Sequence, residues 1–176
     1  MFTLIMKEEL VMCYRDGEGE WVIMKKKIIV DLDVVTVAEW DTHKSSINFI
    51  DRIKKGEFYL ITPYILLEHL SNWNYKKLAL RIEHFYNLYS KDIISAKNVL
   101  EKLIGININR EELTKELLSI GVKEEDTVLV IVASIFEVDY LVTHNRKHLK
   151  SKEKEINEVL SKNGLKTIKI MLPDEI

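Results

Sequence analysis

The stretch Lys25 to Val35, KKKIIVDLDVV, reads as a buried strand that ends in two acids. Three lysines lead into Ile28, Ile29 and Val30, a β-branched run of the kind that fills a strand covered on both faces of a parallel sheet. The run stops at Asp31 and Asp33. In open α/β sheets the ligand crevice lies outside the carboxyl ends of the strands, so acids at this point stand where chemistry happens. The competing structural explanation is that Asp31 caps the helix that follows.

Working outward, the chain alternates strand-like and helix-like segments. Ile47, Phe49, Ile50 and Ile53 recur at roughly helical spacing up to Gly56, and Glu57 to Thr62 reads as a second strand, giving a βαβ unit. Pro63 at a first helical turn opens a helix over Tyr64 to Trp73. Its apolar face of Ile65, Leu66 and Leu70 sets Glu68 among hydrophobic neighbours, where a carboxylate needs a partner. Leu78, Ile82, Phe85 and Tyr89 form the stripe of another helix. A short third strand is expected at Asp92 to Ser95, then helices over Asn98 to Ile104 and Arg110 to Ile120, the latter closed by Gly121. An apolar helix over Thr127 to Glu137, with the small Ala133 and Ser134, suits close packing on a sheet. Tyr140 to Thr143 is a fourth strand, Ser151 to Lys162 a charged helix, and Lys166 to Met171 a last strand. This alternation predicts an α/β fold, a three-layer α/β/α sandwich with a mostly parallel central sheet.

Residues 25 to 176 form that domain, and residues 1 to 24 precede it as an extension. Leu10 to Tyr14 and Glu20 to Met24 flank the turn-rich Arg15 to Gly19, so an N-terminal β-hairpin is the simplest reading. An appendage that pairs with a neighbour or with another chain is the alternative. The chain has 176 residues, enough for one core without staples. Cys13 is its single cysteine, which excludes an intramolecular disulfide and points to a reducing, cytoplasmic setting. Lys7, Glu8 and Glu9 stand where a secretory signal would be apolar, and no apolar run is long enough to span a bilayer. With a formal charge of −2 the surface is not basic overall, so any nucleic-acid contact must be local.

Four places ask for one explanation: Asp31 with Asp33, Glu68, Asp126 and Asn145 all fall near the same edge of the predicted sheet. Clustered carboxylates repel, and one takes up a proton unless a cation compensates them. Mg²⁺ or Mn²⁺ prefers oxygen ligands and binds phosphate oxygens, so the cluster suits metal-dependent phosphodiester hydrolysis.

The segments IIVDLDVV, TPYILLEHL, EEDTVLVIVAS, VDYLVTHNRKHL and IKIMLPDEI, taken in order, resemble those of PIN-domain nucleases, and most closely the VapC-type toxins of prokaryotic toxin–antitoxin pairs. The resemblance covers residues 27 to 176. It implies a four-acid site in which Asp31, Glu68 and Asp126 hold the first three positions and bind the metal, with Asp33 beside them as a further ligand. Asn145 stands where the family usually has Asp, which removes a charge and weakens the attraction for metal. The resemblance also implies an RNA substrate, a homodimer, and a small antitoxin that blocks the acidic groove, for instance with an arginine. The stripe from Leu78 to Tyr89 is a candidate contact surface.

Blander readings stand beside these. Glu68 could pair with a surface lysine, and Glu124, Glu125 and Asp126 all favour a helix N-terminus. His144 and His148, spaced i, i+4, match a metal pair on a helix, yet no H-E-x-x-H pattern is present. His69 and His84 have no evident partner. Arg146, Lys147 and His148 are candidate substrate contacts, or a solvated face. Two other functions compete: a catalytically degenerate PIN domain that binds RNA or acts as a scaffold, and a haloacid-dehalogenase-like phosphatase with Asp31 as nucleophile. The phosphatase pattern continues with Gly-Thr where this chain has Val34 and Val35.

Overall fold

In the computed structural model, which describes residues 13–15, 21–23 and 25–176, the run Ile28 to Val30 lies in strand β3 (Lys27–Val30) and is wholly buried. Ahead of it, β1 (Cys13–Arg15) and β2 (Trp21–Ile23) pair antiparallel, with Cys13 opposite Ile23. The turn between them, and Met24 where the extension meets the domain, lie outside the described residues.

β3 is the middle strand of a five-stranded parallel sheet. On one side it pairs with β4 (Tyr59–Pro63), and β4 with β5 (Asp92–Ile94); on the other it pairs with β6 (Tyr140–Val142), and β6 with β7 (Lys169–Met171). The order β5-β4-β3-β6-β7 reverses direction between β3 and β6. A crevice opens at such a switch point because the connections after the two strands leave to opposite sides.

Helix α1 (Leu32–Glu39) follows β3 directly. Its LDVVTVAE sequence is β-branched and would extend a strand, but Asp31 accepts the Leu32 N–H and starts a helix whose Leu32, Val34 and Val35 are buried. Then come α2 (Lys44–Lys54), α3 (Tyr64–Ser71), α4 (Lys76–Tyr89), α5 (Ala96–Gly105), α6 (Arg110–Ser119), α7 (Glu124–Ile135) and α8 (Glu153–Lys162). Helix α7 is buried almost throughout, from Asp126 to Ile135, with Val128 alone half-buried. Two expected boundaries shift for local reasons. Pro63 ends β4 in extended conformation and precedes α3 instead of entering it, and the chain leaves α7 before Glu137, whose φ is +56°. Gly121 follows α6 at φ +91°, the left-handed geometry that a glycine stop supplies.

Asp139 fixes the register at the other end of the sheet. Its carboxylate accepts the Lys27 N–H at 2.8 Å while its own N–H donates to Lys27 O at 2.8 Å. β3 and β6 are thereby clamped so that Val30 lies beside Val142, and the residues after both strands come out at one edge. The architecture is the three-layer α/β/α sandwich with a parallel central sheet expected from the sequence. Among the described residues no helix is long and apolar enough to cross a membrane.

Candidate active site

Asp31 is the first residue past β3. Its N–H donates to Val142 O at 2.9 Å, one more rung of the β3–β6 ladder, and its Oδ1 accepts the Leu32 N–H at 2.7 Å. The capping role is therefore real, but it uses only one oxygen. Oδ2 lies 2.9 Å from the Thr143 hydroxyl. The same hydroxyl is 3.2 Å from Asp33 Oδ2, which also accepts the His144 N–H at 3.0 Å. The remaining Asp33 oxygen, Oδ1, is buried with no hydrogen-bond partner.

Thr143 is fully buried, and its oxygen already accepts the Asn145 N–H at 2.9 Å. A hydroxyl has one hydrogen to give, so two carboxylates compete for one donor. Burial, and after it the charge of Asp33, pushes Asp31 up to about 8, while Asp33 is raised by burial. Behind them Tyr86 is wholly buried and donates its hydroxyl to Val30 O at 2.9 Å. Its phenol is held well above the ordinary range by burial and by the charges of Asp31 and Asp33, which keeps it a neutral donor at the strand end.

Asp126 sits in the first turn of α7 and is 8% exposed. Its Oδ2 accepts Asn145 Nδ2 at 2.9 Å, and Asn145 Oδ1 accepts the His148 N–H at 3.0 Å. Asn145 thus spans from the third acid to the turn after β6, with both ends of its amide engaged. Burial raises Asp126, with Glu125 and Asp33 adding to it and Lys123 and His148 opposing. Asp31 and Asp126 together line a cavity of about 30 Å³, closed by Leu66, Leu129 and the half-buried His69. About 10–15 Å³ admits a water-sized sphere, so the space accepts a small ion or a water.

Glu68 departs from expectation. It is exposed and does not line this cavity, and its helix turns Leu66 and Leu70 inward instead. Beside Asp31 and Asp126, α3 presents Ile65, Leu66 and one polar side chain, His69. The i, i+4 histidine pair does not form either, because residues 145 to 149 make a turn and not a helix. His144 Nε2 meets Ser46 Oγ at 2.7 Å, whereas His148 Nδ1 is 3.4 Å from Gly121 O. Burial lowers His144, with Asp33 opposing. Arg146 and Lys147 are exposed and His148 is half-buried.

The donor set fits a hard divalent cation in ligand type and charge. Asp31 and Asp33 share one hydroxyl donor, Asp31 and Asp126 share one cavity, one buried carboxylate oxygen lacks any donor, and burial disfavours leaving the acids ionised unaided. Among the described residues, no three Asp, Glu, His or Cys side chains already converge closely enough to enclose an ion. The fit therefore lies in the chemistry at Asp31, Asp33 and Asp126 and not in a preformed shell. Sequence alone does not single out Thr143, Tyr86 or Ser46, and it leaves His69 without an evident partner. Of these only Thr143 carried a signal, a hydroxyl closing the apolar Tyr140-Leu-Val run two residues before Asn145.

No family profile matches the sequence, and no curated protein matches it. Among solved structures, the chain is similar to one from the VapBC2 complex of Rickettsia felis, crystallised bound to a DNA fragment from its promoter. The two share 15% identity at a TM-score of 0.54, over 83% of this chain and 98% of the other. At that identity the likeness establishes a shared fold.

Proposed function

We propose that this protein is a divalent-metal-dependent ribonuclease of the PIN type, acting as the toxin of a type II toxin–antitoxin pair. One observation carries the reading. Asp31, Asp33 and Asp126 stand at the point where the strand order reverses, with one hydroxyl hydrogen between two carboxylates and a buried carboxylate oxygen that has none. Asp31, Asp33 and Asp126 would hold Mg²⁺ or Mn²⁺, with Glu68 able to join only by swinging in from solvent. Such a cation would supply charge neutralisation for the acids and Lewis-acid activation of a water toward a phosphodiester.

The protein's own groups do the orienting. Leu32 N–H and Thr143 fix the Asp31 carboxylate, His144 N–H fixes Asp33, and Asn145 fixes Asp126. Tyr86 anchors the strand end behind them. The solved neighbour is a VapBC complex, which supports a small antitoxin as partner. Leu80 and Leu88, exposed on α4, support self-association into a homodimer. A cytoplasmic location accords with the single cysteine.

The test is cleavage of a labelled single-stranded RNA in Mn²⁺ and in EDTA, by the wild type and by Asp31→Asn, together with Mn²⁺ titration. Cleavage that needs Mn²⁺ and is lost in Asp31→Asn supports the proposal. RNA binding with neither Mn²⁺ uptake nor cleavage overturns it and favours the degenerate, RNA-binding reading, which the amide at Asn145 supports. The phosphatase reading has less support, because Val34 and Val35 stand where its pattern continues with Gly-Thr.

A further inference from the structure

The loop after β6 meets the loop before α2 through two histidines. The rings of His43 and His144 lie 4.7 Å apart between centroids, tilted by 60°. His144 is held in place by Ser46, whose buried hydroxyl meets its Nε2 at 2.7 Å. The backbone N–H of the same His144 reaches Asp33, so this ring pair begins one residue from the acid centre. Arg146 flanks His144, is exposed, and makes no ion pair among those found between described residues; neither does Lys44 beside His43. Trp40, 56% exposed at the end of α1, adds an open aromatic face to the loop that carries His43. Bases stack on such faces without regard to sequence.

We propose that His43, His144 and Arg146 form a subsite for a phosphodiester group of a single-stranded nucleic acid, next to the phosphate that would be cleaved. The inference rests on the nuclease reading of the acid centre for its location, but its chemistry is separate. Ring N–H groups and a guanidinium donate to phosphate oxygens, and an arginine with no ion pair among the described residues breaks none of those when it turns to a ligand. The subsite also gives a physical use to the Ser46–His144 contact, which holds an imidazole at the rim of the acid centre. An acidic peptide would meet the same hydrogen-bond donors, but it would find in Trp40 no use for a flat stacking face.

The experiment measures binding of a fluorescent oligouridylate to the full chain in EDTA, where no cleavage competes, for wild type, His43→Gln, His144→Gln and Arg146→Gln. Each substitution is expected to weaken binding about fivefold, the worth of one polar contact. Arg146→Gln is also expected to lower the slope of log affinity against log salt by about 0.7. His43 and Arg146 are exposed, so their variants remain informative even if His144→Gln unfolds. Unchanged affinity and slope in His43→Gln and Arg146→Gln overturn the subsite, whether or not the wild type cleaves RNA. Binding that depends on these residues without any Mn²⁺-dependent cleavage sinks the nuclease reading and leaves the subsite standing. Displacement by an oligoglutamate at the same concentration as by unlabelled oligouridylate makes the surface a protein dock and overturns the proposal.

Discussion

Asn145 donates its side-chain amide to Asp126 across 2.9 Å, so the residue that breaks the acidic pattern is the one that steadies the third acid. Replacing it with Asp removes the donor and sets two carboxylates at hydrogen-bond distance. In EDTA, Asn145→Asp is therefore expected to lose about 1–3 kcal/mol of stability, the cost of a buried group left unsatisfied. With Mn²⁺ the ranking reverses, because a fourth anionic oxygen adds to the attraction. Urea unfolding with and without Mn²⁺ checks both halves, and a variant as stable as wild type in EDTA contradicts the bracing role.

The acids also set a pH dependence. Asp31 has an ordinary value of 3.8 and is pushed up to about 8 in the folded chain, by burial and then by Asp33. Between those values the folded state holds a proton that the unfolded state has released, so stability falls as pH rises through the window. Asp33 and Asp126 are raised in the same sense. His144, lowered by burial, acts oppositely at and below the ordinary histidine range, so the clean interval runs from about pH 7 to about 8.5. In EDTA the melting temperature is expected to drop across that interval. Mn²⁺ should flatten the drop, and so should Asp31→Asn. A slope equal in Asp31→Asn and wild type would assign it to other groups.

What the sequence made legible follows from the length of each signal. β3 and β6 are short apolar runs ended by polar residues, and their acids and amide could be placed at one edge from strand direction alone. The phase of α3 could not. Ile65, Leu66, Leu67 and Leu70 cover too much of an eight-residue helix to leave one polar face, so the orientation of Glu68 against His69 was undetermined. Tyr86 and Ser46 act through contacts separated by 56 and 98 residues, which no local pattern records.

Helix α4 illustrates the same limit in its energetics. The stripe read as a contact surface is core instead: Leu78, Ile82 and Phe85 are buried and Tyr89 is half-buried, with the Phe85 ring 5.4 Å from those of Tyr86 and Tyr89, while the exposed leucines of α4 are Leu80 and Leu88, at 64% and 57%, outside the stripe. Phe85→Glu is therefore a core lesion, expected to cost about 3 kcal/mol or more by losing the ring and burying a charge. Leu88→Glu should change stability by no more than about 0.5 kcal/mol. It should also shift sedimentation toward monomer if α4 is the homodimer contact. Sedimentation of Leu80→Glu and Leu88→Glu identical to that of a self-associating wild type would move the contact elsewhere.

Glu68 gives the sharpest test of which acids serve a metal. It is exposed on α3, outside the cavity that Asp31 and Asp126 line, and it enters no ion pair among those found between described residues. Glu68→Gln in EDTA is accordingly expected to unfold within about 0.5 kcal/mol of wild type. The informative quantity is Mn²⁺ affinity. If Asp31, Asp33 and Asp126 are the ligands, Glu68→Gln binds Mn²⁺ like wild type while Asp33→Asn loses at least tenfold, about 1.4 kcal/mol. If the ion draws Glu68 in from solvent, the two variants exchange ranks, and Asp33, with its unpartnered Oδ1, becomes an acid that shapes the field without touching the metal.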